Sequence, residues 1–302
     1  MTFEQLSVFV AVAEREHLTK AAAAIHLTPS AVSASIRNLE QHYGIELFHR
    51  IGRRIELTAA GRIFLDEARK LLARSRSVDL ILSELGGMQR GSLNVFASQT
   101  IASYWLPPRL MEFHNRFPGI ELGLTIGNTR TVADAVISGE ADIGLVEGEL
   151  DEPALASSIV ARDELVVVVG PSHPWADKKA LAVDDIREGH WVMREVGSGT
   201  RSAFEEALND MGIKVGTLNI VLVLPSNESI LCALLAGSGA AAVSRLAAQQ
   251  FIESGRLCEV DFPAPAREFR LLRHKERHAS KAALTLLDIC NQADDRELKP
   301  EL

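Results

Sequence analysis

Three short stretches gather small hydroxyls, amides and glycines just past apolar runs that read as strands. They are Ser98-Gln99-Thr100 after LNVFA, Gly127-Asn128-Thr129 after IELGLTI, and Gly197-Ser198-Gly199-Thr200 after WVMRE. Open α/β sheets bind ligands beyond the carboxyl ends of their strands. The third stretch leads straight into a helix, RSAFEEALNDMG. Free N–H groups, hydroxyls and the positive helix end make an anion site there, with Arg201 to assist. An ordinary capped turn explains any one of these stretches, but three at matching strand ends favour a shared cleft. Asn227-Glu228, opening another helix, and Glu147, closing the strand ADIGLVE, are further candidates to line it. Aromatic residues make up only 5% of the chain, which disfavours a large stacked ligand.

Covalent and metal chemistry find no comparable support. GSG at 197–199 is not a nucleophile elbow, which needs G-x-S-x-G on a strand-to-helix turn. Gly237-Ser238-Gly239 ends a helix instead of opening one, so it is a poor dinucleotide fingerprint. The nine histidines lack ligand spacing. His173-Pro174 sits in the turn-like GPSHPWAD, and His274 with His278 has no third ligand. Cys232, Cys258 and Cys290 are far apart and form no CxxC, so they read as structural thiols; a peroxide-sensing pair is the weaker alternative. The expectation is a protein that is not an enzyme and holds no metal.

A second constellation lies near the amino terminus. Four alanines, Ala21 to Ala24, form a helix that other helices can approach closely, with Thr19 as its expected N-cap and an end near Leu27. Thr28 caps a second helix, with Pro29 at its first position and Gly44 at its end. Val32, Ile36, Leu39 and Tyr43 share one apolar face. Ser30, Ala34, Arg37 and Gln41 lie opposite, flanked by Ser33 and Asn38. With Ala31, Thr28 and Lys20 nearby, this outward face suits the DNA major groove. A helical hairpin with a merely solvated face reads equally well from this helix alone. Arg50, Arg53 and Arg54 around Gly52 tip the balance, as the basic tip of a short hairpin that reaches phosphates or a narrow minor groove.

Helix 3–16, with Phe3, Leu6, Phe9, Val10 and Ala13 on one face, packs beneath this head. Thr58 caps a long helix to about Leu85. Phe64, Leu71, Val78 and Leu85 recur in it every seven residues, with Ala68, Ser75 and Leu82 between them, a seam that asks for a partner helix. From 92 onward strands and helices alternate in the grammar of a parallel α/β sheet.

The order of first helix, LTPSAVSASIRNLE, LFHR, GRRIELTAAG and long helix resembles the LysR-type transcriptional regulators, and the resemblance runs through the whole chain. It implies an α/β protein with an N-terminal all-α winged helix-turn-helix over residues 1–58. A linker and dimerisation helix with a hinge follows at 59–90, then a periplasmic-binding-protein-like, two-lobed effector domain at 91–302. Lobe I would hold 91–161 and 268–302, and lobe II 162–267, with crossings near Ala161 and Arg267. It further implies duplex DNA, a second copy of the chain (a homodimer, in the family's usual homotetramer) and RNA polymerase as partners, with no cofactor. Many members carry Gln-Pro where this chain has Pro29-Ser30, so their base readout does not transfer in full.

TIASYWLPPRLMEFHNRFPGIELGLTIGNT, DIGLVEG and REVGSGTR resemble the branch of carbon-fixation and sulfur- or sulfite-responsive regulators. That branch implies a sulfur oxyanion such as sulfite, or else a phosphorylated metabolite or small carboxylate. A phosphate ester calls for a Lys/Arg cluster, and none stands by these loops in the sequence, which favours the sulfur oxyanion.

Composition fits this division. The 302 residues carry a net charge of -8, which argues against DNA until the chain is split. Residues 1–90 hold 12 Lys/Arg against 10 Asp/Glu, whereas 91–302 hold 20 against 30. Residues 1–58 are balanced at 6 against 6, so local clustering must do the attracting. The start MTFEQLSVFVAVAE does not read as a signal peptide, and no apolar run is of membrane-spanning length. The expectation is a cytoplasmic protein; a lone solute-binding protein would lack the first 90 residues and carry an export signal.

Overall fold

The computed structural model describes all residues except 52–53, 86–90, 178–180, 264–265 and 298–302. The side chains of 50–51, 54, 76–77, 80–81, 83–85 and 293–297 are likewise outside the description. Two compact units emerge, 1–82 with 138–140, and 83–137 with 141–302.

The first unit runs α1 (Phe3–Arg15), α2 (Leu18–Ala24), α3 (Pro29–Tyr43), the hairpin β1 (Phe48–Ile51) and β2 (Arg54–Leu57), then α4 (Ala59–Leu85). Thr2 and Gln5 close a reciprocal capping box on α1. On α2 the cap is His17, whose Nδ1 accepts from Lys20 N at 3.4 Å, and not Thr19, which falls inside the first turn. The helix also stops at Ala24, short of Leu27, because His26 turns into positive φ and the chain must bend toward α3. Thr28, Pro29 and Gly44 bound α3 as their chemistry dictates, with Thr28 Oγ1 accepting from Ala31 N at 3.2 Å. Phe9 stacks against Phe48 and Phe64 in the core, while Val32, Ile36 and Leu39 seal α3 onto it. Phe3 and Tyr43, expected inside, are more than half exposed because each lies at an end of its helix, beyond the neighbouring helices.

The hairpin is anchored from both ends. Glu40 Oε1 accepts from Leu47 N and Phe48 N at 2.9 and 3.2 Å. Thr58 Oγ1 donates to Glu46 O and accepts from Gly61 N, both at 2.8 Å. A Cβ on Gly61 would meet Leu47 O at 2.1 Å, so only glycine lets α4 begin here. Along α4 the expected seam splits. Ala68 is fully buried and Phe64 half-buried in the head's own core, whereas Leu71, Val78 and Leu82 are exposed. The side chain of Leu85 lies outside the described residues.

Among the described residues the second unit is built on nine strands in the order β4-β3-β5-β11-β6-β9-β7-β8, with β10 paired to β6 off this path. The elements run β3 (Gly91–Ser98), a π-turn at Ile101–Trp105, α5 (Pro107–Arg116), β4 (Ile120–Gly127), α6 (Thr129–Ser138), β5 (Ile143–Glu147) and β6 (Leu155–Val169). Next come α7 (Val183–Glu188), β7 (His190–Arg194), α8 (Gly199–Asp210), β8 (Asn219–Leu224), α9 (Asn227–Ala236) and β9 (Ala240–Ser244). Then follow α10 (Arg245–Glu253), β10 (Cys258–Val260), β11 (Ala266–His274) and α11 (Lys281–Glu297).

β6 is the shared spine. Residues 155–164 pair with β11 and residues 165–169 with β9 and β10, so the strand leaves one half-sheet and enters the other between Glu164 and Leu165. Each half is faced by helices on both sides: α5 and α11 against α6 in the first lobe, and α8 against α9 and α10 in the second. The outer strands stay open. On β4 Leu124 and Ile126 are exposed, and on β8 Val221, Leu222 and Val223 are exposed in a row.

Candidate functional site

On the first unit, Ser30, Ala31, Arg37, Asn38 and Gln41 are exposed along α3, with Ser33 and Ala34 half-buried beside them. Lys20 on α2 and Thr28 at the α3 cap are exposed too, and Thr28 and Ser30 share a hydroxyl contact of 3.0 Å. Arg37 has no carboxylate holding it among the described residues, so its guanidinium is available to a ligand. Arg53 and the side chains of Arg50 and Arg54 lie outside the described residues.

In the second unit the three polar stretches meet along the seam between the lobes. Gly197 adopts φ +91° and rests against the Asn128 amide. A Cβ on Gly199 would come within 2.9 Å of Glu147 O and of Thr129 Oγ1, so the start of α8 presses directly on the ends of β4 and β5. Ser198, its cap residue, makes no side-chain cap bond, which leaves the first N–H groups of α8 without a capping oxygen. Further along, Asn227 N donates to Gln99 Oε1 at 3.1 Å and Asn227 Nδ2 to Thr100 Oγ1 at 3.0 Å. Gln99 Nε2 and Tyr104 OH both donate to Glu228. Burial works against the Glu228 carboxylate, but donors from Tyr104, its own backbone and Gln99 outweigh it and hold its pKa below the usual range. Burial and that same bond raise Tyr104. Ser98 is buried and its Oγ has no hydrogen-bond partner.

Two arginines overturn the expectation that no basic cluster stands here. Arg194, at the end of β7, is buried; it is held by Glu195 at 2.8 and 3.0 Å and reaches Gln99 and Asn227 only at 3.5 and 3.4 Å. Arg267 on β11 donates to Asp163 Oδ2 at 2.8 Å and to Thr200 Oγ1 at 2.9 Å. Asp163 also accepts from Ser244 at 2.9 Å. Burial pushes Asp163 upward against the pull of Arg267 and Ser244. Arg201, the one arginine that sequence reasoning assigned, instead spends its guanidinium on Glu205 and the Arg194 carbonyl. A signal existed for Arg194, which stands three residues before the third polar stretch. Arg267 is distant in sequence and only the strand crossing brings it in. A cavity of about 690 Å³ opens on the hinge side of the seam, bordered by Thr129, Glu147, Gly197, Gly199 and Arg267.

Residues 86–295 match the LysR substrate binding domain, and residues 3–62 match the bacterial regulatory helix-turn-helix protein of the lysR family. The chain belongs to the LysR family. It is 32% identical to a probable RuBisCO transcriptional regulator of Cyanidioschyzon merolae, over 94% of this chain and 95% of that one. It is 31% identical to the HTH-type transcriptional regulator CysL of Bacillus subtilis, over 81% of each. The regulatory domain of Synechocystis PCC6803 CcmR, solved in complex with 2-PG, superimposes with a TM-score of 0.61 at 26% identity, covering 68% of this chain and 98% of that one. As a LysR member the chain is a ligand-responsive, DNA-binding transcriptional regulator and not an enzyme. No helix among the described residues is long and apolar enough to cross a membrane.

The thiols divide by place. Cys290 is fully buried, and burial pushes its pKa up to about 12, which makes it inert at neutral pH. Cys258 is half-buried at a core margin, but Cys232, expected as a packing residue, is exposed on α9. All three are free.

In this LysR regulator the Arg267–Asp163 pair, nearly inaccessible on both sides, ties the hinge together. Arg267→Met leaves a buried carboxylate uncompensated and should cost about 3–5 kcal/mol in urea unfolding. Adding Asp163→Leu should recover most of it. A double variant as unstable as the single one would show that the pair is not what the hinge depends on.

Proposed function

We propose that the chain reads duplex DNA through α3 and the hairpin wing, pairs with itself along α4, and alters its hold on DNA when a small anion enters the interlobe seam. In this reading residues 1–58 are the DNA-binding domain, 59–90 the linker and dimerisation helix with its hinge, and 91–302 the effector domain. The lobes are 91–161 with 268–302, and 162–267. The protein works in the cytoplasm, where its DNA is, and acts on RNA polymerase at the promoter.

The anion reading rests on one observation above others: α8 starts without a side-chain cap while the buried Ser98 hydroxyl has no partner. Arg194 and Arg267 add positive charge nearby, although Glu195 and Asp163 already engage them. Their presence removes the reason for preferring a sulfur oxyanion such as sulfite, so phosphorylated metabolites and small carboxylates stand level with it. The likeness to a regulatory domain bound to 2-PG supports keeping them. Titrating the full chain calorimetrically with sulfite, sulfate, thiosulfate, small carboxylates and sugar phosphates should identify the class. Ser98→Ala, which breaks no internal bond, should weaken the binding several-fold. Tight binding of an uncharged or large aromatic compound, indifferent to Ser98→Ala, would sink the anion reading.

For DNA, Arg37 is the exposed cation in the middle of α3. Arg37→Ala should lose about 1–3 kcal/mol of binding and relax sequence choice in mobility-shift titrations. Unchanged selectivity would remove α3 as the reading helix.

For self-association, Leu71, Val78 and Leu82 continue along α4 beyond the head's core and stay exposed. The open edges of β4 and β8 offer the further apolar contacts that four protomers need. Leu71→Asp should lower the mass seen by light scattering, because pairing would bury an uncompensated charge. An unaltered mass would retire the seam.

A further inference from the structure

We infer that the effector carries an ammonium group beside its anionic one, and that Glu147 receives it. The inference rests on the reading of the interlobe seam as the effector site. Glu147 is the last residue of β5, is 4% exposed, and borders the cavity of about 690 Å³ on the hinge side of the seam. Among the described residues its carboxylate has neither a hydrogen-bond donor nor an ion-pair partner. Neither of its oxygens is among the fully buried unpaired atoms, so the carboxylate opens on the cavity, where a ligand's donor can reach it.

Its neighbours along the wall are mostly of the same sign; Arg130, which also borders the cavity, faces Asp134 at 3.6 Å. The neighbouring carboxylate, Asp163, has already taken Arg267, and Asp163 feels Glu147 as a like charge. Glu149 and Glu268 on the same cavity wall share Arg270 between them. Glu206 and Asp210, one turn apart on the exposed face of α8, add two more negative charges at the rim. A bare sulfite or phosphate ester entering this wall leaves Glu147 unpaired and adds repulsion of its own. The carboxylates are not placed for a metal ion either: among the described residues no three acidic, His or Cys side chains are grouped to hold one. What fits is an organic zwitterion. Its anionic end meets the uncapped start of α8, and its ammonium, a compact charge with three donors, meets Glu147. The two ends are close: a methyl group on Gly199, the first residue of that helix, would sit 3.0 Å from the Glu147 Cβ. The cavity has room for a molecule of metabolite size.

Matched probes test this on the full chain. Taurine and isethionate differ only in an ammonium for a hydroxyl, as do phosphoethanolamine and 2-hydroxyethyl phosphate. Calorimetry should find the ammonium member of each pair at least tenfold tighter, and Glu147→Gln should erase that ratio. Should Glu147→Gln fail to fold, the exposed pair Glu206→Gln with Asp210→Asn should shrink the ratio several-fold. Hydroxyl probes binding as tightly as their ammonium partners, or a ratio that survives Glu147→Gln, would overturn the inference while leaving the anion reading standing. Silence from all four probes, with the plain oxyanions and sugar phosphates silent as well, would overturn both.

Discussion

The second unit depends on one buried ion pair. Asp163 and Arg267 face each other across the β6–β11 ladder, next to the point where β6 passes from one lobe to the other. Through Ser244 the pair reaches the end of β9, and through Thr200 it reaches the first turn of α8. A hinge of two antiparallel strands is free to twist, and backbone bonds alone do not fix the angle between the lobes. Four groups from four elements converging on one site restrict it. Pairs of this kind seldom add net stability over an apolar equivalent, but they penalise every geometry that separates the partners. Gly199 lies beside Thr200, so its close approach to Glu147 and Thr129 follows from where this pair holds α8.

Local chemistry made the head legible in the sequence. Thr28, Pro29 and Gly44, and Thr58 in its role as the cap of α4, act within three or four residues of themselves, and those roles follow from residue type. Where a role depended on the path of the chain or on distant neighbours the reading slipped. His17 displaced Thr19 as a cap because Glu16 turns the chain into left-handed φ after α1 and leaves His17 extended with its Nδ1 on Lys20 N, and β4 reads as an apolar strand, yet as the outermost strand of the sheet it leaves Leu124 and Ile126 exposed. The polar stretches at 98–100, 127–129 and 197–200 were visible because strand ends followed by small polar residues carry a local signature. Arg267, more than sixty residues from the nearest of them, carries none, and only the return of β11 beside β6 brings it to Thr200.

The two lobes are joined by polar side chains as well as by strands. Asn227 of one lobe satisfies Gln99 and Thr100 of the other, and Glu228 takes donors from Gln99 and Tyr104. Each bond of this kind is worth only about 1 kcal/mol net, since water offers the same groups comparable partners when the seam opens. Such a seam is easily biased. That suits a domain whose state must follow the concentration of a small molecule.

Any effector shifts that balance only by the difference between its affinities for the two states. Most donors and acceptors along the seam already have partners on the other lobe, so a ligand that merely replaced them would gain little. Exceptions are the Ser98 and Thr129 hydroxyls, buried without a partner, the first N–H groups of α8, which no side chain caps, and the Glu147 carboxylate, which opens on the cavity. On the proposed reading of the seam as the effector site, a ligand that meets these groups gains bonds for which no cross-lobe contact competes, and its binding favours the arrangement that presents them together. The leverage of the site lies in what the folded chain leaves unpaired.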